Sequence, residues 1–316
     1  MRSALTDDQF LTLWPQYGSA AAISKRTGLT TRAIMSRRDR VASKLGIDLP
    51  SRLKAGGMLR DASHTPGRID IDIQDGFVLV GSDAHYHPGI VSTAHRAFVS
   101  LCKELRPVAV VMNGDAFDGA TISRHPRIGW DNKPTVIQEL DAVKERLADI
   151  EPHSKNLYWP LGNHDARYET YLAAHAPEYQ GIKGFHLKDH FPLWRPCWAL
   201  WINGDVVIKH KWHNGVHATY NNTLKSGKSI VTGHLHSLKV APWSDYNGTR
   251  FAVDTGTLAA PYGPQFSDYT ELNPVNWRSG FAVLRFKDGR LLWPSLVHVL
   301  DEDAGLVEWG VETFRV

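Results

Sequence analysis

The sequence predicts an α/β protein: a parallel or mixed sheet with helices on its faces, preceded by a small all-α domain. Short apolar runs rich in β-branched residues, such as 77–80 and 107–112, alternate with helix-length stretches through residues 76–165. Charge is uneven. Residues 1–60 hold 11 Lys/Arg against 4 Asp/Glu, and the rest holds 25 against 29. A basic module thus precedes a nearly neutral body, as expected of a chain that meets a polyanion. At 316 residues and 42% hydrophobic, the chain can bury one large core plus a satellite core. The expected boundaries are 1–48 for the helical domain, 49–68 for a Pro/Gly/Ser-containing linker and 69–316 for the body.

Composition excludes several classes. Aromatic residues are too frequent for disorder, and two cysteines, Cys102 and Cys197, make no disulfide framework. They read as half-buried thiols in a reducing compartment. The N-terminus has no apolar segment typical of a signal peptide, and no run approaches the roughly 20 apolar residues that cross a bilayer. The expectation is a soluble, cytoplasmic protein without a membrane partner.

The basic module reads as three helices. Phe10, Leu11 and Trp14 have helical spacing over 7–17, with Thr6 or Asp7 as cap, and Ser19 caps a second helix over 20–27. Gly28-Leu29-Thr30 makes a tight turn into a third helix, capped by Thr30 or Thr31 and closed by Gly46 after about Leu45. Two short helices about a glycine turn form a helix-turn-helix signature, with Ile23, Leu29 and Ile34 as its internal contacts. Arg32, Arg37, Arg38 and Arg40 on the third helix are the candidate DNA contacts. The competing reading is a docking or dimerisation module whose arginines are solvated. Paired half-sites would make a DNA-binding form a homodimer.

In the body, Ile69, Ile71 and Ile73 alternate with polar residues as an edge strand, and Asp75-Gly76 reads as a hairpin turn into the buried run 77–80. A helix over about 90–105, the strand 108–112, a loop with Arg124, His125 and Arg127, a helix over about 135–150 and the strand 157–161 follow. The second half is richer in strands. Residues 198–202 and 206–209 flank an Asn203-Gly204-Asp205 turn. Strand character recurs at 229–232, 250–254, 281–286 and 291–298, with a hairpin turn at 287–290.

Asp83, His85, Asp115, Asn163, His210, His234 and His236 lie at or just past the ends of these strands, where α/β proteins place their chemistry. Mixed carboxylate, imidazole and amide donors suit two divalent transition-metal ions, with Mn, Fe, Zn or Ni in view, and argue against Mg or Ca alone. Asp115 has two oxygens, enough to touch two cations, and Asp118 follows one turn later, placed to orient a neighbour.

Asp83-Ala84-His85, Gly114-Asp115-Ala116-Phe117-Asp118, Gly162-Asn163-His164-Asp165, His210 and Gly233-His234-Leu235-His236 resemble, in order and rough spacing, the motif blocks of the calcineurin-like metallophosphoesterase superfamily. The resemblance covers about residues 76–300. It implies a four-layer α/β/β/α sandwich of two mixed sheets. It also implies that Asp83, His85 and His236 hold one metal, that Asn163, His210 and His234 hold the other, and that Asp115 bridges. His164 would be the catalytic histidine that is not a ligand, oriented by Asp118. His210 is preferred over His213 because it stands directly at the strand end. His213 and His217 are left to face substrate or begin a helix, and His87 reads as an exposed or supporting histidine.

The second block lacks the Asp-Arg-Gly of the serine/threonine protein phosphatases, and Asp165 stands where they have Glu, which disfavours a phosphoprotein substrate. The basic module favours a phosphodiester and DNA, so the expected activity is a phosphodiesterase or nuclease. Arg124, Arg127, Lys211 and Lys225 are candidate backbone contacts, and Arg124 and His213 are candidate substrate contacts. The combination resembles proteins of phage or prophage regions. Two alternatives stand: an enzyme acting on a small nucleotide-like ester with a regulatory N-terminal module, and a DNA-binding accessory protein with vestigial catalysis.

Overall fold

The computed structural model describes residues 5–17, 20–47, 49, 65–124, 133–271 and 273–316, and the chain divides into two compact units, Met1–Gly67 and Arg68–Val316. The expected Ser19 cap, His125, Arg127 and linker residues 50–64 lie outside the described residues.

The first unit consists of helices α1 (Asp7–Tyr17), α2 (Ala20–Thr27) and α3 (Thr31–Leu45). Thr6 caps α1: its hydroxyl accepts from the Gln9 N–H at 3.2 Å, and its own N–H donates to Gln9 Oε1 at 3.0 Å. Thr30 caps α3 by accepting from the Ala33 N–H, and Gly46, at φ 63°, ends it. Phe10, Trp14, Ile23, Ile34 and Val41 are buried together, while Leu11 and Leu29 pack at the margin. Asp7 accepts from Arg37 at 3.1 Å and Arg40 at 3.0 Å, so two of the predicted DNA-contacting arginines tie α3 to α1. Arg38 pairs with Asp39 and lies over the Trp14 ring, and Arg32 is exposed.

The second unit runs β1 (Ile69–Ile71), β2 (Gly76–Gly81), α4 (Thr93–Leu105), β3 (Ala109–Met112), α5 (Val136–Ile150), β4 (Leu157–Pro160) and α6 (Asp165–His175). It continues with β5 (Arg195–Cys197), β6 (Leu200–Ile202), β7 (Val206–Ile208), α7 (Ala218–Ser226), β8 (Ser229–Thr232), β9 (Lys239–Asp245) and β10 (Gly248–Asp254). β11 (Gly280–Lys287), β12 (Arg290–Leu291), β13 (Ser295–Asp301), β14 (Leu306–Trp309) and β15 (Glu312–Arg315) complete it. One sheet has the order β15-β14-β13-β11-β2-β3-β4-β5, with β12 against β11; the other has the order β1-β6-β7-β8-β10-β9. Both mix parallel and antiparallel pairs.

The period-2 alternation of side chains sets the layers. Val78 and Val80 of β2, with Ala109 and Val111 of β3, face Leu200, Ile202, Val206, Ile208, Val231 and Val253 of the other sheet across one core. Leu79, Val110 and Met112 face the opposite way, onto Ala97, Phe98 and Leu101 of α4 and Val143 and Leu147 of α5. Helix α7 lies against β8, β9 and β10. The result is the four-layer α/β/β/α sandwich.

Several local expectations need correction. Asp75-Gly76 does not close a hairpin, because β1 pairs with β6 in one sheet and β2 with β3 and β11 in the other. The two residues carry the chain between sheets, and Asp75 pairs with Lys287 at 2.9 Å. Ile73 is buried but lies past the three-residue strand β1. Cys102 and Cys197 are fully buried rather than half-buried, and they lie in separate cores. Strands β5, β9, β14 and β15 lie outside the runs that the sequence marked as strands. Among the described residues, no helix is long and apolar enough to cross a membrane.

His95 on α4 is buried and meets the Tyr86 hydroxyl at 3.0 Å and Asp149 at 3.3 Å. Burial pushes its imidazole down to about 4 from 6.5, outweighing the upward pull of Asp149. Between these values the unfolded chain takes up a proton that the folded chain refuses, so stability is full above 6.5 and falls as pH drops towards 4. Denaturant midpoints of the metal-free protein across this window should decline with acidification, and His95→Gln should flatten that slope.

Candidate metal centre

The parallel strands β2, β3 and β4 deliver Asp83, Asp115 and Asn163 to one edge of their sheet. From the facing sheet, β7 ends before His210, and β8 ends before His234 and His236. Among the described residues, the metal-ligating side chains gather into three groups: Asp83, His85 and His236; Asp115, His210 and His234; and His85, Asp118 and His164. The third is explained by hydrogen bonding, because Asp118 Oδ1 meets Nδ1 of His85 at 2.9 Å and Nδ1 of His164 at 2.7 Å.

The two buried carboxylates are arranged alike. Asp83 Oδ2 accepts from the His234 N–H at 2.8 Å, and its Oδ1 faces His236 Nε2 at 3.1 Å and His210 Nε2 at 3.9 Å. Asp115 Oδ1 accepts from the His164 N–H at 2.8 Å, and its Oδ2 faces His210 Nε2 at 3.0 Å. In each, one oxygen is fixed by backbone and the other is aimed inward. Metal–ligand bonds of ~2.1 Å set neighbouring donors roughly 3 Å apart, which the His236–Asp83 and His210–Asp115 separations match. Asn163 Oδ1 is buried without a hydrogen-bond partner, as suits an amide oxygen meant for a cation. His85 and His210 offer their Nδ1 to Asp118 and to the Asn113 carbonyl (2.8 Å for the latter), which turns Nε2 inward. The residues therefore fit two divalent ions.

Electrostatics agree. Burial alone would raise the Asp83 carboxyl, but His236 and His210 outweigh it and hold it at about 2. Asp115 is held well below the carboxylate range for the same kind of reason, with His210 as its strongest counter-charge. Burial lowers His210, yet Asp115 and Asp83 push it up to about 10. The pair of carboxylates thus demands positive charge between them. His234 is pushed down to about 4 by burial and by His210, the state of a neutral ligand.

Local propensity does not produce this geometry. Ten non-glycine residues among those described have positive φ, and five belong here: Asp83 (52°), His85 (39°), Asp115 (54°), His234 (71°) and His236 (56°). Each such conformation costs on the order of 1–3 kcal/mol and persists only where its surroundings enforce it. Close approach of the loops is part of that enforcement. A Cβ on Gly162 would fall 2.0 Å from Asp115 Oδ1, and one on Gly233 would fall 2.4 Å from Asp83 Oδ2.

Asp165 is the main fastener. Its Oδ2 accepts from the N–H groups of Asp115 (2.8 Å) and Gly162 (2.8 Å) and from Trp159 Nε1 (3.0 Å), and its Oδ1 accepts from Ala116 and Phe117 (3.1 Å each). In the sequence Asp165 belongs to the third motif block, but nothing there marks it as the residue that ties these loops together. Arg167 was missed, although it stands three residues after His164 on the same helical face. Its Nη2 lies 3.2 Å from His164 Nε2, and its Nη1 donates to the Asp118 carbonyl at 2.9 Å. Phe266 and Trp277 were missed as well. Against His236, Phe266 packs tilted with its centroid 5.6 Å away and Trp277 packs edge-on at 4.5 Å, and no local pattern announces a partner so far along the chain.

Beside the centre opens a cleft of about 780 Å³ lined by Arg124, Asn163, Arg167, Lys211 and His234, among others. Arg124 is thus where a substrate contact is expected. His213 is not among the lining residues: its N–H donates to Asn222 and its ring stacks on Trp212. His217 immediately precedes α7, and Lys225 lies in the last turn of that helix.

The family model for calcineurin-like phosphoesterases matches residues 78–256, more than half of the chain. Comparison with curated proteins returns no match. Among solved structures, Vps29 of Entamoeba histolytica complexed with zinc is similar at 14% identity and a TM-score of 0.41, over 75% of this chain and 98% of that one. An archaeal phosphodiesterase is similar at 13% identity and 0.39, over 71% and 99%. Yfce, a phosphoesterase from E. coli, is similar at 16% and 0.33, over 69% and 97%.

Asp165→Asn would turn an N–H₂ towards at least two of the five donors. A loss of about 2–4 kcal/mol is expected, read as a lower denaturant midpoint together with weaker metal uptake.

Proposed function

The chain belongs to the calcineurin-like phosphoesterase family, and from that premise we propose that this metal-dependent phosphoesterase hydrolyses phosphodiesters, with DNA as its substrate. The observation that carries the reading is the cationic cleft, with Arg124, Arg167 and Lys211, opening directly on Asn163 and His234.

Asp83, His85 and His236 would hold one divalent ion and Asn163, His210 and His234 the other, with Asp115 shared between them. Two bound ions supply neutralisation of phosphoryl oxygens and a hydroxide derived from water near neutral pH. The chain's own groups do the rest. Arg124 and Lys211 draw the phosphate into the cleft, and Arg167 can exchange its contact with His164 for a phosphate oxygen. Asp118 fixes Nδ1 of His164, so Nε2 is the atom that hands a proton to the leaving oxygen. Burial lowers the His164 imidazole, but the Asp118 hydrogen bond and the Asp115 charge outweigh it, so the ring keeps its proton to higher pH than usual.

DNA is favoured over other diesters by the basic N-terminal unit, where Arg32 is exposed on α3. A tethered helix that contacts phosphates raises the local concentration of substrate. The size of the cleft, about 780 Å³, favours a second reading in which the ester is a small nucleotide.

The test compares Mn-loaded protein on bis-p-nitrophenyl phosphate, plasmid, single-stranded DNA and cyclic nucleotides; absence of turnover on every diester would overturn the proposal. His164→Ala should cut turnover of the model diester by roughly 10²–10⁴-fold with metal content unchanged. Asp115→Ala should lose both ions as read by elemental analysis. If DNA is the substrate, its cleavage should fall steeply between about 50 and about 200 mM salt while model-diester turnover stays nearly level. Arg32→Glu should weaken cleavage of DNA alone.

A further inference from the structure

Beyond Arg167, helix α6 carries two aromatic side chains that the hydrolytic reading does not use. Arg167, Tyr171 and His175 follow one another at four-residue intervals, so they share a face, each about 6 Å further along the helix. The Tyr171 and His175 rings stack, with centroids 4.2 Å apart and planes 22° apart. His175 Nδ1 lies 2.9 Å from the Tyr171 carbonyl, a contact that fixes the imidazole. Tyr171 is 42% exposed, and both rings line the same cleft as Arg124, Arg167 and Lys211.

A stacked aromatic pair in an open cleft that Arg124, Arg167 and Lys211 also line has the makeup of a base-stacking surface. Bases stack on aromatic side chains whatever their sequence, because every base has a π-face, while Arg and Lys take the backbone charge. We propose that Tyr171 and His175 form a platform for the nucleobase of the nucleoside joined to the scissile phosphate, which makes nucleoside phosphodiesters the preferred substrate class. The proposal rests on the phosphodiesterase reading for the place of the phosphate. Arg167 then sits between the two halves of the substrate, with the reacting phosphate on its His164 side and the base on its Tyr171 side.

The test uses the full-length Mn-loaded protein and two esters with one leaving group, thymidine 5′-(p-nitrophenyl phosphate) and methyl p-nitrophenyl phosphate. The wild type should prefer the nucleoside ester in kcat/KM. Tyr171→Ala should reduce that preference by about tenfold, and Tyr171→Phe should keep it. A ratio unmoved by Tyr171→Ala, with both rates falling together or neither falling, overturns the platform. A second readout is independent of turnover: the fluorescence of 2-aminopurine riboside monophosphate, and of a single-stranded oligonucleotide with one 2-aminopurine, titrated with protein. Quenching lost in Tyr171→Ala supports the platform. Tighter binding of the oligonucleotide points to nucleic acid, and equal binding points to free nucleotides. Quenching of neither probe, or quenching that survives Tyr171→Ala, overturns it. Should neither ester be hydrolysed, the phosphodiesterase reading fails, and the quenching result still decides the platform.

Discussion

Two carboxylates buried a few ångströms from a shared imidazole set the terms for the second unit. Asp83 and Asp115 are taken out of water, and both remain ionised because His236 and His210 face them. Uncompensated charge in such a place would cost several kcal/mol, so the loops around it are fixed by polar contacts rather than by apolar packing. Asp165 gathers five N–H donors from the ends of β3 and β4, and Asp118 holds two histidines at once. The strained backbone at the ligand positions is held by this lattice of bonds.

Much of this was legible in the sequence, and the reason is geometric. A parallel strand that ends in a polar residue presents that residue at the sheet edge, so Asp83, Asp115 and Asn163 could be assigned to a common edge once their strands were recognised. Turns with an obligatory chemistry were equally readable: Asn203-Gly204 closes the β6–β7 hairpin with both residues at positive φ. Asp75-Gly76 is also a turn-forming dipeptide but has a different job, because hairpin chemistry at a turn says nothing about which sheet each flanking strand joins. β1 takes its sheet from β6, more than a hundred residues away, while β2 joins β3 and β11 in the other. The same limit hid Phe266 and Trp277, whose role depends on contact with His236 and not on any neighbour in sequence. Arg167 and Tyr171 were hidden differently, since an Arg or Tyr on a helix has many ordinary uses until a cleft is seen beside it.

The first unit is a separate physical problem. Its core of Phe10, Trp14, Ile23, Ile34 and Val41 is small, and Asp7 adds electrostatic ties by accepting from two arginines of α3. Ion pairs near the surface contribute about 0–1 kcal/mol each, so these half-buried to exposed pairs are weak enough to be exchanged for phosphates. Of the arginines on α3, Arg32 is exposed, whereas Arg37 and Arg40 share Asp7 as a partner, which basic composition alone does not reveal.

The strand order has a bearing on biogenesis. During synthesis the apolar core of the helical unit, from Phe10 to Val41, emerges before any strand of the second unit. β2 must wait for β11, about two hundred residues later, and β1 must wait for β6. The nascent chain consequently spends a long interval with the β11-facing edge of β2 open, which is when strand-to-strand aggregation threatens most.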